Sequence, residues 1–273
     1  MVFTLFGDYV RHRGGDAWVG TIIRVGSVFG LSEQAVRSAL SRMARRGWLS
    51  VRRVRNRSYY GLTERSVKIL AEGDRRIFEY PSDEWDGTWW VLTYSIPERT
   101  RELRDRLRKE LTWLGYGLLG SATWISPRDH ADIIERIVDE LGVRGMVELF
   151  RGTHHGFSST RELVNRCWDL ESINRRYAEF INEYRPRLEA LRQRLQRGDM
   201  VSEEEAFRER FLIVHLYRKF PFIDPQLPDA LLPEGWLGKE AMAVFRQYRE
   251  LLAEQANRFF DRIYEGSHSL VRA

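Results

Sequence analysis

Cysteine is almost missing from this chain: its 273 residues contain one, Cys167. No intramolecular disulfide can form, and such usage fits the reducing cytoplasm. Long apolar runs are missing as well. No stretch of about 18 apolar residues occurs, which excludes a membrane-spanning helix. The opening MVFTLFGDYVRHRGG sets acidic Asp8 inside its apolar stretch and offers no small-residue cleavage site, so it does not read as a signal peptide. Also absent are a glycine-rich phosphate loop, a Cys/His cluster at zinc spacing and a nucleophile elbow. The histidine pair His154-His155 would point to opposite faces of a strand and share no metal, whereas a loop would let the two rings meet. No metal and no cofactor is expected.

What is present reads as globular. Hydrophobic residues make up 43% and aromatics 12%, in a chain with room for two or three domains. Charge is unevenly placed. Residues 1–80 hold 15 Arg/Lys against 7 Asp/Glu, a balance of +8, whereas the whole chain is +5 and residues 81–273 therefore sum to −3. A nucleic-acid partner is expected at the N-terminal end.

The segment LSEQAVRSALSRMARRGWLSVRRVRNRSYYGL, Leu31 to Leu62, carries the pattern behind that charge. Ser32 is a good N-cap, and Glu33 stands in the first turn, where the helix dipole favours negative charge. Val36, Leu40 and Met43, with Ala39 beside them, form one apolar stripe. The opposite face carries Gln34, Arg37, Ser38, Ser41, Arg42 and Arg45, donors suited to base edges and phosphates in a major groove. Arg45 and Arg46 also lie where they complement the helix dipole, and Gly47 is placed to stop the helix. Leu49–Val54 and Arg57–Leu62 read as a hairpin, with Asn56 of the Arg55-Asn56 turn tolerating positive φ. Arg52, Arg53, Arg55 and Arg57 crowd its tip, where like charges repel unless a polyanion neutralises them. Tyr59 or Tyr60 supports this wing. Upstream, Val2, Leu5, Phe6, Tyr9 and Val10, then Val19, Ile22, Ile23 and Gly26, keep helical spacing, and Gly30-Leu31 makes a turn. Thr63 caps a further helix from Glu64 to about Tyr80. Three helices and a wing make a winged helix-turn-helix over residues 1–80. Ser32 and Asn56 join the six helix-face residues and the four wing arginines as candidate contacts to double-stranded DNA.

Pro81 to Gly87 is a polar break that reads as a linker. Beyond it, Trp89–Ser95 is strand-like, and Leu103, Leu107, Leu111 and Leu114 give a helical stripe. Leu118–Ser126 reads as one or two strands with a bend at Gly120. Ile133, Ile134, Ile137, Val138 and Leu141 give a second helix, and Val147–Arg151 a closing strand. The β-α-β(β)-α-β order over residues 87–155 predicts a ferredoxin-like split βαβ unit, read as the platform of a homodimer. The run VLTYSIPERTRELRDRLRKELTWLGYGLLGSATWIS resembles the small metal-dependent nuclease fold of the CRISPR spacer-acquisition machinery. That family ends its first strand in Tyr-Asp-Ile, whose carboxylate holds a divalent cation. Here the matching residues are Tyr94-Ser95-Ile96, and serine is a poor ligand for Mg²⁺ or Mn²⁺. The resemblance implies the fold and argues against nuclease activity, the alternative function for this chain.

Residues 160–273 read as helical. Ile173, Tyr177, Phe180, Ile181 and Tyr184 form one stripe, continued by Leu188, Leu191 and Leu195 after Pro186. Phe207, Phe211, Val214 and Tyr217 form a second, and Val244 to Phe259 a third. Between the last two runs HLYRKFPFIDPQLPDALLPEGWLG, a long aromatic and proline-rich loop of the kind that tends to carry function. With LSEQAVRSALSRMARRGWL, YSIPE…GSATWISP and LVNRCWDLESINRRYAEF, this block resembles the PaaX family, bacterial repressors of phenylacetate-degradation operons, in order and over nearly the full length. The resemblance implies a homodimeric, non-enzymatic repressor released from its operator by a coenzyme A thioester, phenylacetyl-CoA in the best-known members. Such an effector needs an apolar slot and cations for its phosphates. Phe220, Phe222 and Trp236 are candidates for the slot, and His215, Tyr217, Arg218 and Lys219 for polar and cationic contacts. Two alternatives stay open: the aromatics lock the loop onto its own core, with Asp224-Pro225 setting a turn, or the pocket is shared with the central domain. The expected architecture is α+β throughout: winged helix, ferredoxin-like centre and helical C-terminal part.

Overall fold

The computed structural model describes residues 1–78 and 84–272, with side chains described through Glu265. It is a mixed α+β fold with two antiparallel sheets. The chain packs as two units. One takes the described residues of Met1–Glu79, Phe180–Lys219 and Glu240–Ala273, and the other those of Tyr80–Glu179 and Phe220–Lys239. The C-terminal segment expected at 160–273 therefore contributes to both. Within the described residues no helix is long and apolar enough to cross a membrane.

The first unit opens with helix α1 (Val2–Asp8), strand β1 (Asp16–Trp18) and helices α2 (Val19–Val28) and α3 (Glu33–Arg45). Strands β2 (Leu49–Val54) and β3 (Arg57–Leu62) follow, then α4 (Glu64–Phe78). The hairpin strands fall where the alternation puts them. The three-residue strand β1 carries no periodic signal in the sequence; it pairs antiparallel with β3, Ala17 opposite Tyr60, giving the order β1-β3-β2. Phe6, Tyr9, Ile22, Val25 and Leu40 are buried, so the predicted helix stripes do face inward. Gly26 is what lets α2 and α3 approach: a Cβ there would stand 2.7 Å from Val36 Cγ2. Between these helices Gly30 takes φ +71, a conformation that favours glycine. The predicted linker at Pro81–Gly87 and the end of α4 near Tyr80 fall partly outside the described residues.

Helices from the far end of the sequence complete this unit: the Phe180–Gln196 part of α8 (Leu170–Gln196), α9 (Glu203–Tyr217), α10 (Gly238–Leu251) and α11 (Ala253–Arg272). Helix α8 runs through Pro186, which lacks the N–H that would bond the carbonyl of Asn182. Tyr9 meets Phe207 and Phe260, each at 5.0 Å between centroids, and Phe29 meets Phe211 at 4.6 Å. Asp8, the acidic residue of the apolar N-terminal stretch, is buried in an ion pair with Arg210 and a second one with Arg249 at 2.9 Å.

The second unit holds strands β4 (Thr88–Tyr94), β5 (Gly117–Gly120), β6 (Thr123–Ser126) and β7 (Val147–Thr153), with helices α5 (Arg101–Trp113) and α6 (Ala131–Leu141). The sheet order is β5-β6-β4-β7, all antiparallel, the β-α-β-β-α-β order read from the sequence. Leu92, Tyr94, Leu107, Leu111, Trp124, Ile134 and Val138 form its core between sheet and helices. Helix α7 (Thr160–Cys167) and the first ten residues of α8 complete it.

Candidate nucleic-acid interface

Helix α3 is built to show one face. Ser32 Oγ accepts from Ala35 N at 3.2 Å, capping the first turn. At the other end Gly47, at φ +70, closes a Schellman pattern: Trp48 N donates to Met43 O and Gly47 N to Ala44 O. Val36 and Leu40 are buried, while Gln34, Arg37, Ser38, Ser41, Arg42 and Arg45 are all exposed. Spacings of three and four residues on a helix keep these side chains in one stripe, about 16 Å long from Gln34 to Arg45. The stripe's base is tied down from behind. Thr63 Oγ1 donates to Gly47 O at 2.8 Å, and buried Ser66 Oγ donates to Trp48 O at 2.6 Å.

The arginines of this face are not equivalent. Arg37 Nε donates to Glu33 Oε1 at 2.7 Å, one helical turn earlier. Arg42 and Arg45 have no ion pair among the described residues. On the hairpin, Arg52 is bound to Asp16 Oδ2 at 2.6 Å and lies over the Tyr59 ring at 5.0 Å; hydrogen bonding to Asp16 raises its pKa. Arg57 lies over Trp18 at 4.9 Å. Arg53 and Arg55 are exposed and have no ion pair among the described residues. Tyr59, not Tyr60, is the buried ring under the hairpin, at 4% exposure.

One expectation is corrected. Positive φ at the hairpin turn falls on Arg55, at 51°, and not on Asn56. In a two-residue hairpin loop the first central position must turn left-handed in either favoured turn type, and here that position is an arginine.

The residues expected to hold an effector divide between the units. In the first, Tyr217 is buried and stacked on Phe245 at 4.1 Å, and Lys219 is exposed. Arg218 Nη1 donates to Thr4 Oγ1 at 2.9 Å, and Thr4 Oγ1 meets His215 Nδ1 at 2.9 Å. Arg218 can only donate, so Thr4 Oγ1 accepts from it and keeps its own proton and a second lone pair to meet the His215 ring. Burial, aided by neighbouring positive charge including Arg218 and Lys219, pulls the His215 pKa down to about 4. In the second unit Phe220 stacks on Tyr177 at 4.2 Å, and Trp236 meets the same ring edge-on at 5.6 Å. Tyr177 Oη donates to buried Asp224 at 2.6 Å, and Asp224 also accepts from Gln226 N. Phe222 is 57% exposed beside Trp113. Much of the aromatic and proline-rich loop is thus spent on fixing itself.

Ser95 follows β4 directly and is exposed, with its N–H on Met146 O at 2.8 Å. Among the described residues no group of three or more His, Cys, Asp or Glu stands together as a cation cage.

Comparison with known proteins bears on the whole length. The profile of PaaX-like proteins matches residues 1–66, that of the PaaX protein central Cas2-like domain residues 82–164, and that of the PaaX-like protein C-terminal domain residues 168–262. Among solved structures, the uncharacterized protein Rv0674 from Mycobacterium tuberculosis superposes with a TM-score of 0.60 at 20% identity, over 96% of each chain, a likeness of fold. The transcriptional repressor PaaX of Escherichia coli (strain K12) is 31% identical over 244 residues, which span 88% of this chain and 76% of that protein. Three profiles in sequence order and a curated repressor aligned across most of both chains leave one assignment, that this chain belongs to the PaaX family.

Proposed function

We propose that the chain is a DNA-binding transcriptional repressor whose first unit works as a winged helix-turn-helix, released from its operator by an acyl-CoA thioester such as phenylacetyl-CoA. The observation that carries this is the exposed face of α3, with Gln34, Arg37, Ser38, Ser41, Arg42 and Arg45 in one stripe beside an arginine-tipped hairpin. A major groove admits such a helix, and guanidinium forks suit guanine edges. Arg37 would exchange Glu33 for a base. An exposed ion pair is worth little, so the exchange costs little, while a Glu33 left facing the wrong base or a phosphate repels it. Arg53 and Arg55 at the wing would meet phosphates.

A homodimer would set two such helices on half-sites one or more helical turns apart, and occupancy of a promoter there represses it. Such work belongs to the cytoplasm. The effector acts by preferring a form whose helices are misplaced for DNA; weakening operator binding 100-fold takes about 2.7 kcal/mol of differential affinity. The test is fluorescence anisotropy on the DNA upstream of its own and neighbouring genes at fixed salt, with and without phenylacetyl-CoA. Tight, sequence-specific binding released by the thioester, and by neither phenylacetate nor CoA alone, is the expected result. Absence of specific binding overturns the DNA reading, and binding indifferent to every acyl-CoA overturns the effector.

A further inference from the structure

Within the second unit, α7 and the start of α8 border a groove of about 780 Å³ whose lining includes Trp168, Leu170, Leu237, Arg161 and Arg175. That volume lies in the range of small-molecule sites, and none of the residues expected to hold an effector lines it. Its walls are fixed in advance. A capping box between Ser159 and Glu162 sets the start of α7. Trp168 Nε1 donates to Gly115 O at 3.1 Å, and its ring occupies space that a Cβ on Gly117 would take, 2.5 Å from Cε2. Asn174 latches the loop carrying Leu237, accepting from Leu237 N at 2.8 Å and donating to Gly235 O at 3.1 Å.

The charges are arranged unevenly. Arg161 and Arg175 are exposed, and neither has an ion pair among the described residues. Glu171 stands four residues before Arg175, the spacing at which Glu33–Arg37, Glu183–Arg187 and Glu254–Arg258 do pair. Asp169 is engaged by Ser172 N at 3.0 Å. Glu171 and Glu234 also line the groove, so an anion is admitted only where guanidinium groups reach it. Unpaired guanidinium forks beside apolar side chains suit a molecule that carries phosphate at one end and an apolar body at the other.

We propose that this groove is the effector site, with phosphate on Arg161 and Arg175 and the acyl or aryl part against Trp168, Leu170 and Leu237. The proposal rests on the acyl-CoA reading above and gives it a location. The test is calorimetric titration of the full chain with phenylacetyl-CoA, CoA and phenylacetate. The same titrations are run on Arg161→Ala/Arg175→Ala and on Ala178→Trp, which fills the groove. Each variant is expected to lose at least about tenfold in affinity for the thioester, since a charge-assisted hydrogen bond is worth that much. Each is also expected to keep its melting temperature and its ligand-free operator affinity. If the thioester releases the unmodified chain from DNA and both variants bind it with unchanged affinity, the groove assignment is overturned and the effector reading stands. If the unmodified chain binds no acyl-CoA, the effector reading falls and the groove with it.

Discussion

Arg55 occupies a backbone conformation that costs an ordinary side chain about 1–2 kcal/mol. Asparagine adopts it more readily, so Arg55→Asn is expected to leave stability unchanged or raise it by up to about 1 kcal/mol in urea melts. The same change removes a wing charge and should weaken all DNA sequences alike while flattening the salt slope by about 1. Arg37→Ala should behave differently, costing about 1–3 kcal/mol at one base position and relaxing preference there. Equal, sequence-independent losses from both would overturn the division between reading helix and positioning wing. His215 carries a pH signature. Its pKa in the folded state, about 4, lies below its unfolded value near 6.5, so below pH 6.5 the unfolded chain takes up a proton that the folded chain refuses. The stabilisation is complete above pH 6.5 and is lost as pH falls toward 4. Melting temperature is therefore expected to drop across that window, and less steeply in His215→Asn, whose side-chain amide does not titrate and can still meet the Thr4 hydroxyl. A parallel drop in both proteins would refute the assignment.

At the scale of elements, α3 was legible almost whole, because its signals are local: a serine cap, an apolar stripe of period 3.6, and glycine after the last turn. The hairpin strands were legible for the same reason. Strand β1 was not, since three residues behind Gly14-Gly15 carry no periodicity and their partner lies more than forty positions away. Nor was the support under α3 visible in the sequence. Ser66 looks like an ordinary first-turn residue, yet its buried hydroxyl satisfies Trp48 O. Ser66→Ala leaves that carbonyl with only the long bond from Thr63 N at 3.4 Å and should cost about 1 kcal/mol in denaturant melts, with operator affinity falling as the end of α3 loosens. The C-terminal aromatics were legible as a motif but not as contacts. What Tyr217 and Phe220 touch, Phe245 and Tyr177, lies 28 and 43 positions off.

For the molecule as a whole, the N-terminal basic charge was plain from composition, whereas the seat of that domain was not. Asp8 stood out as an acid in an apolar helix, but its partners are 202 and 241 positions away. With Arg210 buried as well, Asp8→Ala leaves an uncompensated guanidinium and should cost about 3–5 kcal/mol. If calorimetry finds the variant as stable as the parent, the ion pair is not part of what joins α1 to α9. Tyr9 and Phe29 are sheathed by Phe207, Phe211 and Phe260 from the other end of the chain. The proposed DNA-reading segment is therefore poor material for transplantation. A fusion that borrows only the first 80 residues inherits a bare aromatic flank. A hybrid repressor with new operator specificity is better made by regrafting the outward stripe of α3 onto the intact chain.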